Sequence, residues 1–424
     1  MAKSNRYGIG ESQMKASTVK GMNDYLPKEV RMRQHLQDVI VNTYQSCGFE
    51  RIMTPIIEDI ENLNKSEGGD NLNLIFKIMK RGDKLDKAIA QGKYDEIADM
   101  GLRYDLTLPL SRYYANNKDK LMTPMKCIQV DRVYRAERPQ KGRLREFIQC
   151  DIDIIGTTSY TAEVELMNTT AKALLNIGLK NFKIKVNDRQ LLRSILMTAG
   201  FEEAQLDSVC ITFDKLDKIG VEGVKAELEE KGFATEAIAN LCKALEVKPF
   251  TIEAARELCQ DTECIDRMEK IIAAAKKFAD GRYQVEYEMS LVRGQGYYTG
   301  TVFEVESLDF KGAVAGGGRY DNLIGKFLNE SVPAVGFSIG FERIFSILTE
   351  MGYEIPDQKK RVAVLFEEDD FMAAAEKAEE LRAEYDVAMF VKPKKVGKYL
   401  DKLKDQGYNA FWNFGQSEEL KELS

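Results

Sequence analysis

Five arginines crowd one short stretch of the chain: Arg132, Arg135, Arg138, Arg143 and Arg145. A planar guanidinium is the side chain best matched to bidentate capture of phosphate or carboxylate, so an anionic ligand is one reading. With Glu137 and Glu146 interleaved, a surface salt-bridge network is the other. A second cluster, Arg293-Gly294-Gln295-Gly296-Tyr297-Tyr298, joins a cation to two glycines that allow close backbone approach and two tyrosines that can donate hydrogen bonds. A third, Gly316-Gly317-Gly318-Arg319, lacks the glycine and lysine spacing of a phosphate-binding loop and reads as a tight strand-to-helix turn.

Elements that could position these groups follow from the periodicity. Residues 127–135 and 144–155 change to a period of two, separated by a charged stretch with Pro139 and Gly142, which predicts an antiparallel hairpin. In its second strand Leu144, Ile148, Cys150, Ile152 and Ile154 share one face, and Arg145, Phe147, Gln149, Asp151 and Asp153 the other. A solvated sheet face accounts for such alternation; an aromatic, an amide and carboxylates beside an arginine-rich loop also suit a small-molecule site. Upstream, Met32, Leu36, Val39, Ile40, Tyr44 and Cys47 recur at helical spacing before Gly48. Ile52 to Ile57 reads as a strand that Pro55 confines to an edge or interface. His35, on the helix, is given no role. Residues 187–281 are mostly helical and read as an insertion, strand signals return from 283, and after Pro356 strand and helix alternate as in a small α/β module.

Composition bounds the answer. With 424 residues, 44% hydrophobic, 9% aromatic and 30% charged, the chain suits two or three globular domains and excludes disordered, collagen-like and disulfide-scaffold classes. A net charge of −7 argues against a general positive coat but leaves room for a local one. Lys392, Lys394, Lys395, Lys398, Lys402 and Lys404 form such a patch, either a phosphate-contacting surface or a solvated helix face. Seven cysteines without a C-x-x-C pair and a single histidine supply no zinc site, so no metal ligand is assigned. No segment approaches the roughly 20 apolar residues that cross a bilayer, and the opening residues have no apolar run of signal-peptide length. The expectation is a reduced, cytoplasmic protein with no membrane partner.

Together these motifs resemble those of class II aminoacyl-tRNA synthetases and, within that class, the histidyl-tRNA synthetase family, over nearly the whole chain. Lys20-Gly21-Met22-Asn23-Asp24-Tyr25-Leu26-Pro27 is similar to the family's N-terminal signature, and Pro55 fits the proline of the first class motif. Tyr134-Arg135-Ala136-Glu137-Arg138-Pro139 and Gly142-Arg143-Leu144-Arg145-Glu146-Phe147-Ile148-Gln149 fit the second, and Gly336-Phe337-Ser338-Ile339-Gly340-Phe341-Glu342-Arg343 the third. Leu291-Val292-Arg293-Gly294, then Tyr297-Tyr298-Thr299-Gly300-Thr301-Val302-Phe303-Glu304, resembles a motif particular to the histidine subgroup.

The resemblance implies an α+β fold: a class II catalytic domain on an antiparallel sheet in two parts, 1–186 and 282–355, with a helical insertion domain at 187–281. A small C-terminal α/β anticodon-binding domain would occupy 361–424, stopping before the strand and helix with which the family's domain usually ends. It implies ATP-dependent activation of L-histidine to histidyl-adenylate and transfer to the 3′ end of histidine tRNA, with ATP as substrate, Mg2+ accompanying it, and a homodimer. By the same resemblance Arg135 contacts the α-phosphate, Arg343 the γ-phosphate, Phe147 stacks on adenine, and Glu137 and Arg143 orient the nucleotide. Asp105, Thr107 and Gln149 surround the α-amino group, Asp153 and Tyr298 hold the imidazole, Tyr297 belongs to the same pocket, and Arg293 lies between the α-phosphate and the histidine carboxylate. The insertion would clamp near the acceptor stem.

Gln295-Gly296 stands where the family usually has Leu-Asp, which bears on the geometry of that loop. The rival of a different class is a regulatory relative, such as the synthetase-like subunit that activates ATP phosphoribosyltransferase; such relatives lose catalytic positions and the C-terminal module, whereas this chain keeps the catalytic positions and most of the module. Threonyl and prolyl synthetases share the general motifs but not the stretch from Arg293 to Glu304.

Overall fold

A computed structural model of the chain describes residues 15–65, 73–138, 143–247, 250–292, 298–417 and 419–423. The chain divides into two compact units, one of residues up to Asp24 with Gln37–Glu350 and one of Tyr25–Leu36 with Met351–Ser424.

The first unit holds eleven strands among the described residues: β1 (Glu50–Arg51), β2 (Ile57–Asp59), β3 (Lys77–Met79), β4 (Ala98–Leu102), β5 (Met125–Tyr134), β6 (Glu146–Ile155), β7 (Phe182–Asp188), β8 (Gln284–Tyr287), β9 (Thr301–Ser307), β10 (Ala313–Arg319) and β11 (Ala334–Gly340). Eight of them form one sheet in the order β1-β5-β6-β11-β10-β9-β7-β8, and β2, β4 and β3 form a small second sheet. The six central strands are antiparallel throughout, while β1 joins β5 and β8 joins β7 in parallel at the two edges. The hairpin expected from the period-two pattern is β5 with β6, paired from Met125↔Ile155 to Tyr134↔Glu146. Ile148, Cys150, Ile152 and Ile154 are buried against the core, so the opposite face carries the polar row.

Two expectations fail here for physical reasons. Gly316-Gly317-Gly318-Arg319 is no turn: it lies in β10, laddered on both sides to β9 and β11. Nor is Ile52 to Ile57 a continuous strand, since β1 stops at Arg51 and β2 starts at Ile57. Pro55 has no N–H to give a ladder, and the carbonyls of Thr54 and Pro55 accept instead from the guanidinium of the buried Arg103, at 2.9 and 3.4 Å.

Between β7 and β8 run the helices Arg189–Ala199, Leu206–Phe213, Leu216–Glu230, Thr235–Glu246, Ile252–Leu258 and Thr262–Ala279, within the same compact unit. Asp188 opens them by accepting the backbone N–H groups of Gln190 and Leu191, an N-cap.

The second unit is the alternating α/β module that the sequence predicts. β12 (Arg361–Phe366) lies between β13 (Asp386–Val391) and β14 (Ala410–Asn413), parallel to both, and β15 (Lys421–Glu422) closes the edge in antiparallel fashion. Ala363 and Leu365 pack with Leu403 on one face; Val364 and Phe366 pack with Ala374 and Ala378 on the other, as in a strand covered by helices on both sides. In this unit His35 Nε2 lies 3.0 Å from the Tyr353 hydroxyl, a structural contact.

Candidate active site

The polar face of β6 forms one wall of a cavity of about 250 Å³, lined also by Asp105, Thr107, Arg135, Tyr298, Tyr320 and the glycines of β10 and β11. Register explains the hollow. One row across the sheet is Asp151, Ser338 and Gly316, and the next is Asp153, Gly336 and Gly318. Glycines in adjoining strands weaken the sheet but leave a trough where a ligand can reach the backbone. Gly336 in particular has no room for a side chain, because a Cβ would fall 2.0 Å from Asp153 Oδ1.

Acceptors dominate the trough. Tyr320 donates its hydroxyl to Asp153 Oδ1 at 2.6 Å, and Gln149 Nε2 donates to the Ser338 hydroxyl at 3.2 Å. Asp105 Oδ1 accepts the Leu108 N–H at the start of the helix Thr107–Asn117. Asp105 Oδ2, Gln149 Oε1 and Asp151 Oδ1 are buried with no hydrogen-bond partner among the described residues. Burial pushes all three carboxyls upward: Asp105, against the Leu108 N–H and Arg135; Asp151 well above the usual range, with Asp153 adding repulsion; and Asp153 to about 7, against the Tyr320 hydroxyl. Buried acceptors without donors are costly, so the arrangement suits a ligand that brings N–H groups or a positive charge.

Arg135 is the arginine of the hairpin cluster that reaches the cavity. Its Nε donates to the Tyr104 carbonyl at 3.0 Å, and its guanidinium sits 5.0 Å from the centroid of Phe147, leaving a cation at the wall. Three of the others serve as ion pairs and braces. Arg132 faces Glu146 at 3.4 Å, Arg143 faces Glu137 at 3.5 Å, and Arg145 donates to the carbonyls of Glu137 and Lys20. Arg343 is exposed at the start of the helix Phe341–Glu350 and donates to the Lys311 carbonyl.

The structure therefore brings Asp105, Thr107, Arg135, Phe147, Gln149, Asp153 and Tyr298 around one cavity, and places Glu137, Arg143 and Arg343 outside its lining. Arg293 and Tyr297 lie outside the described residues. Sequence reasoning missed Asp151, Ser338 and Tyr320. Asp151 was legible, being on the polar face already identified; Tyr320 follows the glycine run and carries no local signal.

A mixed sheet with this central antiparallel order, a helical excursion between β7 and its parallel edge partner β8, and a polar trough over glycines is the catalytic fold of a class II aminoacyl-tRNA synthetase. The family described as histidyl-tRNA synthetase matches residues 21–344. The chain is similar to the histidine–tRNA ligase of Leifsonia xyli, 43% identical over 344 residues, covering 78% of this chain and 79% of that one. It is similar also to the histidine–tRNA ligase of Cytophaga hutchinsonii, 34% identical over 413 residues, with 92% and 90% covered. The crystal structure of histidyl-tRNA synthetase from a Nostoc species aligns with TM-score 0.79 at 26% identity, covering 97% of this chain and 95% of that one. This chain belongs to the histidyl-tRNA synthetase family.

Proposed function

We propose that the chain is a histidine–tRNA ligase: it activates L-histidine with ATP and transfers it to the 3′ end of histidine tRNA. A histidine carboxylate oxygen attacks the α-phosphorus of ATP, the bond to the β-phosphate oxygen breaks, and pyrophosphate leaves. A terminal ribose hydroxyl of the tRNA then attacks the histidyl carbonyl, and AMP leaves. Charge builds on the phosphorus oxygens in the first step, so fixed cations and positioning supply the catalysis. Mg2+ enters with ATP as part of the substrate and neutralises phosphate charge.

In this reading Arg135, at the cavity wall, meets the α-phosphate and the exposed Arg343 the γ-phosphate; Phe147 offers a ring face to adenine, with Glu137 and Arg143 orienting the nucleotide. Asp105, Thr107 and Gln149 take the α-ammonium, and Asp153 and Tyr298 the imidazole, with Arg293 and Tyr297 completing that end. A competitor lacking either ring nitrogen would leave one of these two partners unmatched, which makes discrimination steep without editing. The observation that carries this reading is the row of buried, unsatisfied acceptors on Asp105, Gln149 and Asp151 in a cavity that also holds Arg135.

The same reading assigns 1–186 and 282–355 to catalysis, 187–281 to the acceptor-stem side, and 361–424 with its exposed Lys394, Lys395, Lys398, Lys402 and Lys404 to the anticodon stem-loop. It takes the protein as a cytoplasmic homodimer. Met53, Ile56, Ile57, Met79 and Met100, in and beside the small sheet, leave an exposed apolar surface that a second copy would cover. No helix among the described residues is long and apolar enough to cross a membrane.

Amino-acid-dependent ATP–pyrophosphate exchange across the standard amino acids, followed by charging of histidine tRNA, tests the assignment. Exchange with histidine alone supports it. A folded sample without exchange would turn attention to the regulatory reading, for which the likeness at 23% identity and TM-score 0.76 to an ATP phosphoribosyltransferase regulatory subunit/histidyl-tRNA synthetase from Bacillus halodurans shows only a common fold.

A further inference from the structure

Beneath the trough lies a buried charge cluster that the chemistry above does not use. Glu163, fully buried on the helix Thr161–Asn176, accepts on one oxygen from Arg319 Nε at 2.7 Å and from Arg267 Nη2 at 2.6 Å. Arg319 ends β10, the glycine strand of the cavity, whereas Arg267 comes from the last helix before β8, Thr262–Ala279. A carboxylate shared this way loses much of its attraction to desolvation and is weak as a source of stability; its firmest effect is to fix where its partners stand. Glu163 Oε2, Arg319 Nη2 and Arg267 Nε are even left without hydrogen-bond partners among the described residues, so the cluster is not built for maximal bonding.

Arg319 is tied into the cavity walls by both its side chain and its backbone. Its Nη1 donates to the Thr157 carbonyl at 3.1 Å and to Asp321 Oδ1 at 3.2 Å. Its carbonyl accepts the Thr299 N–H at 2.8 Å, and the Asp321 N–H donates to the Thr299 hydroxyl at 3.1 Å. The segment carrying Tyr298 and the segment carrying Tyr320 are thereby fastened to each other through the residue that Glu163 holds. Packing tightens the link: a Cβ on Gly318 would lie 2.9 Å from the Tyr298 ring, and one on Gly300 3.4 Å from Arg319 Cδ.

Next to this cluster the helical excursion is anchored a second time. Asp188, which caps its first helix, accepts the Thr301 hydroxyl at 3.1 Å, and the Cys264 thiol of its last helix lies 3.6 Å from the same carboxylate. First and last helices of the excursion thus meet where β7 ends and β9, the neighbour of β10, begins.

The geometry points to Glu163 as a positioning residue for the histidine end of the active site, holding Tyr298 and Tyr320 around Asp153 through Arg319 and, through Arg267, making that placement depend on the helical excursion. This rests on the histidine-activating reading above and deepens it. Among the described residues the nucleotide end, with Arg135 and Phe147 on the hairpin, has no bond to the cluster, so the two substrates should respond differently.

Exchange kinetics of the full chain, with histidine and ATP varied separately, read this for Glu163→Gln and Arg267→Met. Glu163→Gln keeps the side-chain shape and removes the charge; the histidine KM is expected to rise about tenfold, the loss of one charge-assisted hydrogen bond, while the ATP KM and kcat stay within about twofold. Arg267 is about one-third exposed on its side chain, so Arg267→Met folds even where Glu163→Gln does not, and a rise of about threefold in the histidine KM alone is expected. Equal shifts in both KM values, or an unchanged histidine KM with only a lower Tm, would overturn the assignment and leave a merely structural cluster. Absence of histidine-dependent exchange in the unmodified chain is a separate result and would overturn the proposed function itself.

Discussion

The hydroxyl of Tyr320, one residue past the end of β10, donates to Asp153 Oδ1 in β6 at 2.6 Å, across the intervening strand β11. Both groups are buried, and between them Gly336 offers only backbone. The bond therefore fixes the orientation of a carboxylate that burial alone would protonate, and it favours the charged form against that burial.

Tyr320→Phe should for this reason act on histidine and not on ATP. A hydrogen bond to a charged group contributes about 1.5–3 kcal/mol, so the histidine KM in pyrophosphate exchange is expected to rise roughly 10- to 100-fold. An unchanged histidine KM in a variant with native thermal stability would show that Asp153 needs no such support.

The pH dependence of stability follows with its sign. The Asp153 carboxyl moves from an ordinary 3.8 to about 7 in the folded chain. Between these values the folded state keeps a proton that the unfolded state has lost, so stability falls as pH rises. The contribution is present in full below about 3.8 and is gone once pH has passed about 7. Comparing Tm against pH for the unmodified chain and Asp153→Asn, the unmodified chain should lose ground steadily between pH 4 and 8. A constant difference between the two would refute the assignment of that titration to Asp153.

How much of this was open to a reader of the sequence depends on whether the cause is local. The alternation of Ile148, Cys150, Ile152 and Ile154 with Phe147, Gln149, Asp151 and Asp153 is a property of one strand, and the polar face it marks is the one that lines the cavity. The glycine run misled because three successive glycines favour a turn in isolation, whereas here β9 and β11 ladder them from both sides. Residues 52–56 misled for a similar reason, since the guanidinium that captures their carbonyls comes from Arg103, about fifty positions further on. Tyr320 and Glu163 gain their meaning only from partners more than 100 positions away.

Arg103 gives a stability prediction. Its side chain is 1% exposed and donates to the carbonyls of Arg132 and Thr54, both at 2.9 Å, while its Nη2 lies 2.7 Å from Asp131 Oδ2, close as an ion pair though not aligned as a hydrogen bond. Arg103→Met would leave those carbonyls without their donor, and Asp131, one-third exposed, would turn to water. The expected cost is about 2–6 kcal/mol, about 1–3 for each of the two carbonyls left unpaired, read as a shift in the urea midpoint at unchanged slope. A loss below about 1 kcal/mol would mean that water replaces the guanidinium there.

Gly336→Ala separates packing from chemistry at the site itself. The new Cβ would fall 2.0 Å from Asp153 Oδ1 and 3.3 Å from the Tyr320 ring, so the carboxylate must swing away from the hydroxyl that holds it. Overpacking of this kind costs about 1–3 kcal/mol of stability, which leaves a folded protein. The histidine interaction should suffer more, because both the placement of Asp153 and its hydrogen bond are lost together, and exchange at low histidine concentration is expected to drop by about 100-fold or more. ATP binding, measured by equilibrium dialysis, should stay within a few-fold of the unmodified chain, since Arg135 and Phe147 are untouched. A variant that lost both substrates equally would show that Gly336 supports the whole trough and not the histidine end alone.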